Sequence, residues 1–191
     1  CLPRKYYMAD TAECVRQIRK MIELGAYFTI NRARQYGKTT ILAALDRALN
    51  EDYLVIWLDF QALGSASYQN ENKFSLAFLE LFLREMERQN AETMADMAAI
   101  MEKMYRTVED EETAFGFMAL FRLLLKVCGC SEKQLILMID EVDSASNNQV
   151  LLDFLAQLRN YYLERETKGR ITFQSVILTG VYDIKNLKRR I

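Results

Sequence analysis

Residues 27–40 read Tyr27-Phe28-Thr29-Ile30-Asn31-Arg32-Ala33-Arg34-Gln35-Tyr36-Gly37-Lys38-Thr39-Thr40. The aromatic and β-branched run at 27–30 predicts a strand. From Lys38 through Leu45 the apolar residues fall at helical spacing. Between strand and helix, residues 32–39 align with the phosphate-loop pattern G-x-x-x-x-G-K-[ST], with Arg32 in place of the first Gly. The chemistry says what must stay. Gly37 lets the backbone approach an anionic oxygen. Free N–H groups at the start of the following helix point at phosphates. Lys38 supplies a point charge for the β and γ oxygens, and Thr39 offers a hydroxyl to Mg²⁺. The first Gly mainly permits a tight turn, so Arg32 can replace it if it adopts the needed backbone angles. The nucleotide-binding set read here is Arg32, Ala33, Arg34, Gln35, Tyr36, Gly37, Lys38, Thr39 and Thr40. A Gly-Lys-Thr tripeptide alone is common; a strand before it and a helix after it make it specific.

A second buried-strand pattern, residues 134–139, runs straight into Asp140-Glu141. A carboxylate at the end of a buried strand can hold Mg²⁺, and its neighbour can polarise an attacking water. Asp140 is assigned to the metal and Glu141 to the water. The bland reading, a strand ending at solvent with two acids, loses ground because the phosphate-loop pattern precedes it. Thr179 ends the last strand pattern, 172–179, where its hydroxyl could sense the γ-phosphate or the attacking water; the alternative is a Thr before a turn. Glu141, Lys38 and Thr179 are the catalytic candidates. Asp59 follows the strand pattern at 53–58, either on the ligand-binding carboxyl edge of the sheet or as a plain strand-end acid. Asp143 reads as a helix-start or surface residue.

Around these motifs, a helix is expected after Asp10, with Gly25 as its stop. Three Met- and Leu-rich helices are expected at 73–89, 92–106 and 112–128, forming a helix-rich insert between the second and third strands. The acidic run Glu109-Asp110-Glu111-Glu112 reads as the solvated start of the third. Another helix is expected at 148–166, closed by Gly169. Strands alternating with helices predict an α/β layer fold with a parallel sheet. The insert either covers the sheet or offers a partner surface; exposure of Met94, Met97, Met101 and Met104 would favour the second.

Composition narrows the functions further. A chain of 191 residues suits one domain, 1–191. It contains no His, which excludes His-based nucleophile systems and His-ligated metal within these residues. The formal net charge is -1, so there is no global basic field for nucleic acid. The Cys-x-Cys spacing at Cys128 and Cys130 does not make a zinc pair, and the thiols are expected reduced and buried or half-buried. No apolar run nears the ~18 residues of a membrane helix. A cytoplasmic location is expected. Because the chain opens on Cys1, a fragment is expected.

These motifs resemble a family. The stretch 27–40 is similar to the modified Walker A of bacterial AAA-like ATPases, whose loop carries Arg-x-Arg-(Arg or Gln)-aromatic-Gly-Lys-(Ser or Thr). Residues 138–143 resemble the family's Walker B, residues 177–181 its sensor strand, and residues 7–10 its lead-in. The resemblance implies a three-layer P-loop NTPase with sheet order 5-1-4-3-2, of which four strands lie in this chain. The fifth strand and the C-terminal lid would lie beyond Ile191. It also implies ATP and Mg²⁺ as ligands, and hydrolysis that acts on attached domains or on an unidentified protein partner, with oligomers possible. With no arginine finger located, hydrolysis by this chain is expected to be slow. The alternative is a nucleotide-gated protein-binding module with little intrinsic hydrolysis.

Overall fold

A computed structural model describes residues 11–31, 38–91, 95–110, 114–142 and 148–180. The elements are α1 (Thr11–Glu23), β1 (Tyr27–Asn31), α2 (Lys38–Leu49), β2 (Leu54–Asp59), α3 (Glu71–Arg88), α4 (Ala95–Glu109), α5 (Phe117–Cys130), β3 (Leu135–Asp140), α6 (Gln149–Lys168) and β4 (Ser175–Gly180). Two short 3-10 turns, Phe60–Ala62 and Ser65–Tyr68, join β2 to α3. The four strands are parallel, in the order β1-β4-β3-β2. This is the expected α/β fold, and the order agrees with the resemblance for the four strands present.

Alternation along each strand builds the layers. Val55, Ile136, Met138 and Ile177 face α1 and α2, where Ile18, Ile22, Ile41, Leu42, Leu45 and Leu49 are buried. Leu54, Ile56, Leu58, Leu135, Leu137, Ile139 and Val176 face the other way, onto α3, α4, α5 and α6. All of β3 is buried, which is why its sequence reads as one apolar run rather than an alternation. Phe154 of α6 anchors the larger layer, with ring centroids 5.1 Å from Phe74 and 4.8 Å from Phe78.

The helical insert belongs to that layer. Met97, Met101 and Met104 are buried against it; Met94 lies outside the described residues. The covering role therefore holds for these three positions, and they offer no exposed partner surface. The third helix starts later than expected: Glu109 is the last residue of α4, Glu111 and Glu112 lie outside the described residues, and α5 begins only at Phe117. Side chains from the start of α3 explain the late start. Asn72 Oδ1 accepts the Phe115 N–H at 2.6 Å, and the Glu71 carboxylate accepts the Phe117 N–H, holding residues 115 and 116 outside a helix and setting its start at Phe117.

The last strand also starts later than its apolar pattern. Arg165 Nη1 donates to the carbonyls of Phe173 (2.9 Å) and Gln174 (2.8 Å), and Nη2 donates to the carbonyl of Gly25. The guanidinium lies 5.6 Å from the Tyr27 ring and 5.2 Å from that of Tyr162. It closes the amino end of the sheet and withdraws the carbonyls of residues 173 and 174 from the ladder.

The two sheet edges differ. At β2, Gln89 Nε2 donates to the Val55 carbonyl at 3.1 Å, and Arg88 pairs with Asp46 of α2 at 3.2 Å. A side chain thus occupies a backbone acceptor that an added strand would use. At β1, an apolar groove of about 780 Å³ runs between the strand and α6, lined in part by Tyr27, Thr29, Leu152, Tyr162 and Leu178.

Candidate functional site

Because all four strands are parallel, their carboxyl ends share one edge of the sheet. Register aligns Asp59 with Asp140 and Ile30 with Thr179, while Ile139 pairs with Leu178. Alternation then decides which face each side chain takes. Asp59, Asp140 and Thr179 keep the parity of Val55, Met138 and Ile177, so all three stand on the face covered by α2.

Helix α2 starts at that same edge. It follows the carboxyl end of β1, and its own C-terminus reaches the amino end of β2, where the Tyr53 N–H donates to the Leu49 carbonyl at 2.9 Å. Its first turn carries no acidic residue. The positive end of the helix dipole is thus left uncompensated by the helix's own side chains, a setting that favours an anion. Thr39 and Thr40 are exposed in that turn. The backbone of Lys38 opens the helix. Arg32, Ala33, Arg34, Gln35, Tyr36 and Gly37 lie outside the described residues, as do Asp143 and the tail after Gly180.

Asp140 is only 4% exposed and Thr179 only 1%. The Thr179 hydroxyl donates to Asp140 Oδ1, and the Glu141 backbone N–H donates to the same oxygen at 2.9 Å. A buried carboxylate needs such donors, since an unpaired one is costly to bury. Neither bond falls on Oδ2. Glu141 itself sits at φ 54, in the left-handed region that few non-glycine residues occupy. It turns the chain sharply out of β3, while Val142 behind it is buried. Such backbone strain is found where the surrounding structure over-determines a functional conformation.

Asp59 has a job already. Its Oδ1 accepts the Gln61 N–H at 2.9 Å and caps the 3-10 turn that follows β2. It both caps this turn and stands on the carboxyl edge of the sheet.

The donor set is one of hard oxygens. Asp140 Oδ2 and the Thr39 hydroxyl are hard oxygen donors on the same face and edge. Among the described residues, no group of three or more Cys, Asp or Glu forms a metal cage. Mg²⁺ characteristically takes one or two protein oxygens and completes its shell with water and phosphate oxygens, so these residues fit it. What sequence reading missed was the Thr179–Asp140 hydrogen bond. The signal was the shared parity of two strand-end polar residues, but using it requires knowing that β3 and β4 are neighbours.

Cys14 and Cys128 are half-buried and Cys130 is exposed, and all three are free thiols. Cys130 therefore departs from the buried or half-buried expectation; it ends α5 at the amino edge of the sheet, away from the site. No described helix is long and apolar enough to cross a membrane.

No curated protein matches the chain. The family model described as "AAA-like domain" matches residues 4–183. With the parallel sheet, the helix after β1 and the acidic end of β3 in the order the family's motifs require, the chain belongs to the AAA-like domain family.

Proposed function

We propose that the chain binds ATP with Mg²⁺ at the carboxyl edge of the sheet and hydrolyses it, as a switch acting on attached domains or a protein partner. The observation that carries this reading is the buried Asp140, fixed by two hydrogen bonds on one oxygen at the edge where α2 begins. In this reading the N–H groups opening α2, with residues 32–37, cradle the phosphates. Lys38 neutralises charge on the β and γ oxygens. Thr39 and Asp140 would hold Mg²⁺, which when bound stabilises the negative charge gathered on the phosphates. The Glu141 carboxylate accepts a proton from a water that attacks the γ-phosphorus; the bond to the β–γ bridging oxygen breaks and ADP departs. An acid beside the metal-holding Asp fits activation of water rather than transfer to another acceptor.

Thermal melting with and without Mg-ATP tests the binding step. At about 100-fold over Kd, nucleotide should add roughly 2.7 kcal/mol, a rise of about 5–10 °C for a chain of this size. Lys38→Ala should abolish the rise. A wild-type chain that melts at the same temperature at millimolar Mg-ATP would sink the proposal.

A further inference from the structure

We infer that Thr179 is a positioning residue for the metal-holding carboxylate and not a contact for the γ-phosphate; the inference rests on the nucleotide-binding reading above. The Thr179 hydroxyl has a single proton, and it is donated to Asp140 Oδ1. Thr179 is only 1% exposed, so the side chain is packed in place. The second donor to Oδ1, the Glu141 N–H, belongs to the residue assigned to the water. One carboxylate oxygen therefore ties the end of β4 to the left-handed turn at Glu141. With both bonds on Oδ1, the carboxylate is locked about its χ angles and Oδ2 becomes the oxygen offered to a cation. A hydroxyl pointed at a phosphate would have to release this bond and leave a buried carboxylate with one donor fewer, which is unfavourable.

The two roles differ in what they sense. A γ-phosphate contact distinguishes ATP from ADP. A strut behind Asp140 does not, because it acts on whichever Mg-nucleotide complex is bound. Outer-shell partners of metal ligands typically govern affinity by about 10–100-fold. Thr179→Val, nearly isosteric but without the hydroxyl, should therefore weaken Mg-ATP and Mg-ADP alike by about tenfold. ATP and ADP measured in excess EDTA should bind as they do to the wild type. Thr179→Ser should restore the Mg²⁺-dependent affinity. Calorimetric Kd values for ATP and ADP, each with Mg²⁺ and with EDTA, read all of this without any turnover. If Thr179→Val folds poorly, Thr179→Ala gives the same comparison. Loss of affinity for Mg-ATP with Mg-ADP untouched would overturn the inference in favour of a γ-phosphate contact. Equal loss in EDTA would overturn it in favour of a general packing defect. Wild-type binding with no effect of removing the hydroxyl would overturn it and leave nucleotide binding standing, whereas a wild-type chain that ignores all four conditions would bring down both.

Discussion

Gly25 and Gly169 both sit at positive φ, +71° and +63°, yet their surroundings differ. A Cβ at Gly169 would meet open space, while one at Gly25 would lie 2.6 Å from Arg165 Nη2. Alanine at Gly169 should cost only the left-handed backbone penalty, about 1–2 kcal/mol. Alanine at Gly25 adds displacement of a guanidinium that holds three carbonyls. The melting temperature of Gly25→Ala should therefore fall below that of Gly169→Ala; equal values would mean that Arg165 moves aside freely. Burial separates the thiols in the same way. It pushes the Cys128 thiol up to about 12 from an ordinary value of 9.0. At pH 8 an alkylating reagent should modify the exposed Cys130 in the folded chain and spare Cys128 until unfolding. Between pH 9 and 12 the unfolded chain releases a proton at Cys128 that the folded chain keeps, so this group's contribution to stability declines as pH rises through that range. At the end of β3, Asp140 and Glu141 stand out in the sequence because acids directly after an apolar run are conspicuous. The bond from Thr179 to Asp140 was not, because residues 39 positions apart meet only through strand order.

Elements show the same division between local and distant causes. Helix α6 ends where a glycine follows a helical run, and α3 begins where Asn70 Oδ1 accepts the Lys73 N–H at 2.9 Å; both are signals carried within a few residues. The start of α5 is not legible locally because the acceptor for its first N–H, that of Phe117, comes from Glu71, 46 residues earlier in the chain. Glu71→Ala should leave the Phe117 N–H without that acceptor and cost about 0.5–2 kcal/mol, read as a lower midpoint in denaturant with unchanged slope. An unchanged midpoint would mean that Gly116 and water satisfy the turn without it. Strand β4 was placed early for a similar reason. Thr172 and Phe173 have the strand-like composition that the pattern detects, but Arg165 claims the carbonyls of residues 173 and 174. Apolar period and turn residues report what an element wants to be, while its first residue depends on which side chain arrives from elsewhere.

At the scale of the whole molecule, stability should be unequal across the sheet. Strand β3 is hydrogen-bonded on both sides and buried along its whole length, whereas β1 pairs only with β4 among the described residues and none of its five residues is fully buried. Strand β2 is also at an edge, but Gln89 and the Arg88–Asp46 pair close it and join α2 to α3 around it. Local opening requires loss of few buried contacts at β1 and of many at β3, so amide exchange should grade accordingly. Amides of residues 135–140 should exchange only through global unfolding, and those of residues 27–31 should open at lower free energy. Strand β2 should lie between them. This order has a consequence for the site. Asp140 and Thr179 stand at the ends of β3 and β4, the two inner strands, whereas α2 follows β1. Asp140 and Thr179 are thereby held by the rigid centre of the sheet, while segment 32–37, which the proposed reading assigns to the phosphates, joins β1 to α2. Nucleotide should raise protection chiefly in β1 and the first turn of α2 and change β3 little, because β3 is already at the global limit. Mass-resolved exchange with and without Mg-ATP measures both parts. Uniform exchange through all four strands in the free chain would show that the open groove beside β1 carries no stability cost, and protection confined to β3 would place the ligand's grip on the acidic strand end alone.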